Sequence, residues 1–327
     1  VTVRNKKSRV VLRLDICRYA GGQGRGEEKE LSAMKFVRFL AQGQEGIGVL
    51  TEDGRSVVPQ EGFGLERRFA SLTELIQEIG PDGLETIRRA AQEGKNAVPV
   101  SDVKLLSPID RPIHDVICVG VNYRDHLTET KEKFDTSFQE PVKPVYFSKR
   151  VCHTVSPGEP IRSRMEIDPC LDYEVELGVV IGKTGTDIPR DRAEEYIFGY
   201  TIVNDVSART LQKQHVQWYR GKSMDTFTPM GPVLVTKDEI PFPVTLDLCC
   251  RVNGETRQSS NTRYFITDIP SLIADLSRGM TLEAGDIIAT GTPAGVGMAM
   301  DPPCYLKPGD VVECEIEKIG VLKNPIE

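Results

Sequence analysis

The chain has no apolar run of about 18 residues, so nothing in it reads as a membrane-spanning helix. No hydrophobic secretory signal stands out at its start. It also lacks a basic surplus. Lys and Arg total 41 against 48 Asp and Glu, a net charge of -7, which argues against general nucleic-acid binding. There are 8 cysteines but no CxxC pair, and the 4 histidines do not cluster near them, which excludes a zinc site of the usual spacing. Cysteines inside apolar runs such as ICVG and LCCRV read as small core residues in a reducing compartment. TGTPAGVG lacks the GK[ST] ending of a phosphate loop. It reads instead as a tight turn whose backbone N–H groups approach an anion.

What is present is a chain of 327 residues, 39% hydrophobic, enough for one large domain and a small one. Residues 1–33 carry a basic start and a glycine-rich polar stretch, GGQGRGEEKE. They are expected to be a disordered extension, with a mitochondrial-type targeting segment as the alternative. Residues 34–104 are expected to form a small α+β domain. MKFVRFL, GIGVL and RSVVP are its strands, with Asp53-Gly54 as a hairpin turn. Ser71 and Glu74 form a capping box for the helix ending at Gly80, and a second helix runs from about Gly83 to Gln92 with Gly94 as its stop. Residues 105–327 are mostly strands with few helices, an α+β pattern rather than a doubly wound sheet. Asn253-Gly254 marks a hairpin, and the spacing of Ile269, Leu272, Ile273 and Leu276 predicts a helix ended by Gly279.

The stretch LDYEVELGVVIGK, residues 171–183, stacks acids. Strand alternation puts Asp172, Glu174 and Glu176 on one face. Side chains two apart lie about 7 Å from each other, so two ionised glutamates there repel by about 0.6 kcal/mol in water and about 2.4 kcal/mol at an effective dielectric near 20. A solvated strand face would tolerate this. A buried one would need a cation. The apolar strand in FGYTIVNDVSART stops at Asn204-Asp205, placing a third acid at a strand end. Three hard oxygen ligands suit Mg²⁺ or Mn²⁺ over zinc, with Ca²⁺ a workable substitute.

In VICVGVNYRDHLTET an apolar strand ends at Gly120 and a helix follows. His126 and Glu129 are three apart, share a helix face and can hydrogen-bond, which would orient the imidazole as a general base. An ordinary polar helix face is the alternative. His114, His153 and His215 have no acid at helical spacing and are expected to be non-catalytic. Trp218 and Tyr219 fit either a lid segment or surface packing.

GVNYRDH, LDYEVELGVVIGK, GYTIVNDVSAR, GKSMDTFTPMGP and IIATGTPAGVG occur in that order, and together they resemble the fumarylacetoacetate hydrolase superfamily over about residues 105–325. Residues from Met34 to Lys104 resemble the short N-terminal domain of its smaller members. The resemblance implies a stacked-sheet roll, usually a homodimer. It implies that Glu174, Glu176 and Asp205 hold Mg²⁺ or Mn²⁺, that His126 and Glu129 form an acid/base dyad, and that Lys222 is the active-site lysine. It places Arg209 and Gln212 along the substrate site and Thr292 in the loop that meets the substrate carboxylate. One departure stands out: fumarylacetoacetase itself has a further carboxylate ligand upstream of its histidine. Asp125, adjacent to His126, has the wrong spacing for that role.

A metal next to such a dyad suits a small 2-oxo acid or dicarboxylate, which reacts through an enolate that the cation stabilises. The expectation is an oxaloacetate tautomerase or decarboxylase, like the oxaloacetate-acting members of the superfamily. The alternatives are an acylpyruvate or fumarylpyruvate C–C hydrolase and, in another class, a non-catalytic metal-binding scaffold dimer. The expected location is cytoplasmic, or the mitochondrial matrix if residues 1–33 target it.

Overall fold

The computed structural model describes residues 34–134 and 140–327. The expectations for residues 1–33 therefore lie outside the described residues. The strands that carry the site are β1 (Lys35–Ala41), β2 (Val116–Gly120), β3 (Val145–Lys149), β4 (Val175–Ile181), β5 (Ile197–Asn204), β6 (Met230–Thr236) and β7 (Ile287–Ala289). The helices are α1 (Leu72–Glu78), α2 (Pro81–Glu93), α3 (Arg124–Glu129), α4 (Arg209–Gln214), α5 (Tyr219–Lys222) and α6 (Ile269–Leu276).

The fold is α+β and mostly strand, as the sequence predicts. Gln44–Leu50 pairs with β1 through a two-residue turn at Gln42 and Gly43, both at positive φ (50° and 80°), the backbone of a type I′ hairpin. Asp53-Gly54 lies instead within a longer connection between Gln44–Leu50 and Ser56–Pro59, where Gly54 N–H donates to Thr51 O. Ser71 caps α1 by accepting from Glu74 N–H. Glu74 does not close a reciprocal box on Ser71, because its carboxylate takes the Ala70 N–H at 2.6 Å. α2 starts at Pro81, whose fixed φ suits the first helical position, and ends on Gly94 at φ 63°.

Strands from both sides of Lys104 join one sheet. Beyond β1 lie Gln44–Leu50, Ser56–Pro59 and Val98–Pro99. Within it the order runs β1-β6-β5-β4-β7-β2-β3, and Lys104–Leu106 pairs with β1 off this path. Neighbours are antiparallel except β7 and β2, which run parallel with Ile288 opposite Ile117. β4 and β5 are buried along their whole length, which explains their near-continuous apolar sequence.

A second sheet stacks on the first, in the order Glu255–Asn261, Asp247–Val252, Val311–Ile316, Gly320–Pro325. Its first hairpin turns on Asn253-Gly254, at φ 53° and 83°. Leu248, Cys250, Val312 and Cys314 meet Val175, Leu177 and Val179 of β4 between the two sheets. Each such buried side chain contributes about 1.5–3 kcal/mol. Val180 and Val203 join the opposite core, which α1 and α2 supply with Leu72, Leu75, Ile76 and Ile87. β4 is thus fixed from both faces, and its register cannot slip without exposing one of them.

His114 Nδ1 lies 2.8 Å from Asp286 Oδ1, just ahead of β7. The hydrogen bond that the imidazole gives Asp286 raises the histidine's pKa above its ordinary value. A raised folded-state pKa gives stability that is complete below the unfolded value near about 6.5 and lost as pH rises through the folded one. His114→Ala should therefore destabilise most below about pH 6 and hardly at all at about pH 9. Urea midpoints of both proteins across that range check this.

Candidate metal centre and acid/base dyad

Glu174 and Glu176 flank Val175, the first residue of β4, and Asp205 directly follows β5. The antiparallel register places Val203 opposite Glu176 and Asn204 opposite Val175. Asp205 N–H donates to Glu174 O at 2.9 Å, so the three acids meet at one end of the strand pair. Where the regular ladder of β4 stops, side chains take over: Asn204 Oδ1 accepts from Glu174 N–H at 3.1 Å and Gln258 Oε1 from Val175 N–H at 3.1 Å. One oxygen from each of Glu174, Glu176 and Asp205 lies within 4.8 Å of the others. All three side chains are buried, as is Asp172, which excludes the solvated strand face.

Bases hold most of this charge. Lys222 Nζ donates to Glu174 Oε2 at 2.8 Å and to Asp205 Oδ2 at 2.7 Å. Arg209 Nη1 reaches Glu174 Oε1 at 2.6 Å, and its Nε reaches Asp172 Oδ2 at 2.9 Å. Lys149, fully buried at the end of β3, donates to Asp205 Oδ1 and to Val206 O. Glu176 has a different surrounding: its carboxylate accepts from Gly291 N–H at 2.8 Å, and no cation contacts it among the described residues. Burial, reinforced by the Asp205 and Glu174 carboxylates, pushes Glu176 well above the usual carboxylate range. Burial would raise Glu174 too, but the Lys222 ammonium and the Arg209 guanidinium overcome it and hold that carboxyl well below the usual range. Burial works against the charges of Lys222 and Arg209, yet their acid partners leave both pKa values raised.

Four buried acids thus face three buried bases. Fully ionised, the cluster carries one excess negative charge, centred on Glu176. A divalent cation between the three oxygens would turn that excess into a net positive charge, so the donor set fits a hard divalent ion.

The predicted dyad is formed. His126 Nδ1 lies 2.9 Å from Glu129 Oε2 across one turn of α3. Glu129 Oε1 accepts from Gly295 N–H at 3.0 Å. Both residues are buried, which excludes the ordinary solvated helix face, and the imidazole lies close enough to the triad to help keep Glu174 ionised. An Nδ1–H given to Glu129 leaves Nε2 as the basic nitrogen. Asp125 stands outside the triad and accepts the His126 N–H at 2.8 Å. The turn that launches α3 holds Val121 at φ 53°, a left-handed conformation rare for a β-branched residue. Asn122 Nδ2 donates to Thr267 O and Thr290 O, and its Oδ1 accepts from Thr267 N–H, tying this turn to the loop after β7.

That loop does approach anions, and they are the protein's own. Gly291 N–H donates to Glu176, Gly295 N–H to Glu129, and Gly297 and Met298 N–H to Asp172. Gly295 has φ 102°, and a Cβ there would lie 2.1 Å from Arg257 O, so only glycine fits. Thr292 sits in this loop, buried, with its hydroxyl donating to Val175 O at 3.0 Å and accepting from Gln258 Nε2 at 2.8 Å. Gln212 lies one turn beyond Arg209 on α4 and accepts from Arg209 Nη1 at 2.9 Å. Arg209 Nη2 is buried without a hydrogen-bond partner.

Lys149 escaped the sequence reading. Its only signal is a lysine closing the apolar strand VYFSK. Phe147 on the same strand lies 5.2 Å below Lys222 Nζ and packs edge-on against Trp218, with ring centroids 5.2 Å apart. Trp218 is therefore packed against the lysine's support. His114 and His153 pair with Asp286 and Asp110, acids distant in sequence that helical spacing could not reveal.

The model of the fumarylacetoacetate (FAA) hydrolase C-terminal family matches residues 115–327. Oxaloacetate tautomerase YisK of Bacillus subtilis is 43% identical over 90% of this chain and 100% of its own length. Human mitochondrial oxaloacetate tautomerase FAHD2A is 39% identical over 90% of this chain and 91% of its own. The solved fumarylacetoacetate hydrolase of Exiguobacterium antarcticum superposes with a TM-score of 0.74, at 42% identity over 90% of this chain and 99% of its own. The chain belongs to the fumarylacetoacetate hydrolase family. It is an enzyme of that family, whose members typically bind a divalent metal, and its acidic triad is a carboxylate set able to hold one.

The two glutamates should respond differently to removal. Glu176→Ala deletes the acid without a cation, so the metal-free protein should keep or gain stability while Mn²⁺ affinity collapses. Glu174→Ala leaves Lys222 and Arg209 poorly compensated and should cost about 3 kcal/mol or more in the metal-free protein, besides weakening the metal. Calorimetric Mn²⁺ titration and thermal melts in chelator check both halves.

Proposed function

We propose that this chain is a Mg²⁺- or Mn²⁺-dependent oxaloacetate tautomerase. The observation that carries the reading is the His126–Glu129 dyad set beside a buried carboxylate triad that its neighbouring bases leave with one excess negative charge when ionised. The printed activities of the bacterial and human relatives point the same way. Glu174, Glu176 and Asp205 would hold the ion. Bound there, it supplies a Lewis acid for a chelating 2-oxo carboxylate and for the negative charge that develops on the 2-oxo oxygen.

The chain's own residues do the rest. His126 Nε2 takes the proton from C3, the C3–H electron pair becomes the C2–C3 π bond, and the C2–O π pair moves onto the 2-oxo oxygen. The same proton, returned to that oxygen, completes the enol. Glu129, held by Gly295 N–H, stabilises the imidazolium in between. Arg209 Nη2, the buried donor without a partner, takes a substrate carboxylate, with Gln212 fixing the guanidinium plane. Lys222 keeps Glu174 ionised, Lys222 and Lys149 both pair with Asp205, and the two lysines offset substrate charge. Thr292, bonded to β4, sets the height of the loop over the triad.

A second reading has one support, the hydrolase title of the Exiguobacterium structure. In a C–C hydrolase the same dyad would activate water. Against fumarylacetoacetate itself stands Asp125, bonded to the His126 N–H and outside the triad. Assay of the Mg²⁺- and Mn²⁺-loaded protein in parallel against oxaloacetate, acetylpyruvate and fumarylpyruvate tests the two. Fastest enol–keto exchange of oxaloacetate is expected, and faster cleavage of an acylpyruvate overturns it. The protein is proposed to act as a homodimer, which would cover the fully exposed Val142 and Val216. Its cysteines in the described residues are all free, which fits the cytoplasm or the mitochondrial matrix.

His126→Ala should separate binding from proton transfer. Oxalate (an enolate mimic) should bind as in the wild type, because the dyad is not among the proposed ligands, while kcat falls by roughly 100-fold or more. Glu129→Gln should give a smaller loss in the same direction. Steady-state kinetics together with oxalate calorimetry check the split.

A further inference from the structure

Asp172 is the acid of the opening stretch that neither the triad nor the dyad uses. It lies on a two-residue strand, Leu171–Asp172, opposite Ser207–Ala208, which resumes the β4–β5 alignment beyond the triad. Its carboxylate is completely buried and accepts four hydrogen bonds. Oδ1 takes Tyr173 N–H at 2.9 Å and Gly297 N–H at 2.7 Å. Oδ2 takes Met298 N–H at 3.0 Å and Arg209 Nε–H at 2.9 Å. All four partners are donors, so the position needs an acceptor at both oxygens, which a carboxylate supplies. An asparagine would place an N–H₂ against two of them.

One residue therefore grips two things at once. Through Nε it fixes the roll of the Arg209 guanidinium, whose Nη1 is then committed to Glu174 and Gln212. The remaining nitrogen, Nη2, is left buried, unpartnered and fixed in direction. Through Gly297 and Met298 it pins the end of the loop whose Gly295 N–H orients Glu129 and whose Gly291 N–H holds Glu176. A Cβ on Gly297 would lie 2.7 Å from Asp172 Oδ1, so the loop and the carboxylate are fitted to each other directly.

We propose that Asp172 is a positioning residue for substrate recognition: by holding Arg209 Nε it aims the buried Nη2 of that arginine at a substrate carboxylate. This rests on the tautomerase reading only in taking a 2-oxo carboxylate as the ligand. A buried bond to a charged group, lost at Asp172, is felt in binding of that anion rather than in binding of the metal.

The test is a double-mutant cycle with Asp172→Asn and Arg209→Met on the metal-loaded protein, read by Mn²⁺ affinity, oxalate affinity and kinetics with oxaloacetate. Asp172→Asn alone should weaken oxalate and raise KM by roughly 10-fold or more. kcat should change by less than about 3-fold and Mn²⁺ affinity by no more than that. In the Arg209→Met background the same substitution should have almost no further effect on oxalate affinity, the signature of a residue acting through the arginine. Multiplying effects, or a loss of Mn²⁺ affinity matching the loss of oxalate, overturn the proposal. A second readout needs neither variant at Asp172 nor any metal. In ¹⁵N-labelled wild-type protein the Arg209 Nε–H, assigned by its disappearance in Arg209→Lys, should exchange with solvent far more slowly than those of exposed arginines such as Arg68. Exchange at the exposed rate overturns it as well. If wild-type protein binds no oxalate, the tautomerase reading fails; if it binds oxalate and Asp172→Asn binds it equally, only this proposal does.

Discussion

Burying like charges together is the constraint on which this molecule is organised. Glu174, Glu176, Asp205 and Asp172 sit fully or almost fully out of water at one end of the β4–β5 pair. Each would be expensive alone, because transferring an unpaired carboxylate to the interior costs several kcal/mol even after relaxation. The fold meets that demand with elements brought from far apart: Lys149 from β3, Lys222 from α5 and Arg209 from α4. The glycine loop after β7 adds backbone N–H groups where side-chain cations would be too large. The compensation stops one charge short, at Glu176. The three carboxylate oxygens there form a set able to hold a divalent ion.

Much of that site was legible in the sequence because its parts obey short-range rules. Period-two alternation puts Glu174 and Glu176 on one face. A strand that ends in Asn-Asp puts an acid at its tip, and three-residue spacing joins His126 to Glu129. Gly94 and Asn253-Gly254 sit where their positive φ is required. The remainder was hidden for a common reason, which is that it depends on pairings set by tertiary structure. Lys149 looks like any strand-end lysine until β3 is known to lie beside β2 and close to Asp205. Asp172 shares its alternation with the ligands, yet a break after it turns its carboxylate to Arg209 and the loop. The joining of β1 to β6 similarly depends on two segments some two hundred positions apart, and no local pattern encodes it.

The glycine loop illustrates how an anion-binding turn can serve a protein's own acids. Four of its N–H groups reach these acids, one on Glu176, one on Glu129 and two on Asp172. Backbone donors carry fixed partial charge and lose no side-chain entropy on binding, so they hold a carboxylate without neutralising it. That distinction matters here. A full cation beside Glu176 would compete with the metal, and one beside Glu129 would lower the basicity of His126. N–H groups orient both acids without placing a full positive charge beside either.

The same logic connects electrostatics to the choice of ligand. The chain as a whole carries a net charge of -7, which on its own repels dicarboxylates. The three buried bases offset part of this, although each is also paired with an acid. On the proposed function, a divalent ion at the triad would make the local balance positive, and an anion that chelated it and met Arg209 Nη2 would find two attractive contacts, which would link substrate affinity to metal occupancy. On that proposal, a chelating 2-oxo carboxylate with a second carboxylate has the two anionic ends that this arrangement would reward. A monocarboxylate lacking the 2-oxo oxygen would satisfy only one of them. The discrimination then arises from charge placed in a dry site, where each contact is worth more than in water, and the stacked sheets matter to function chiefly because they keep that site dry.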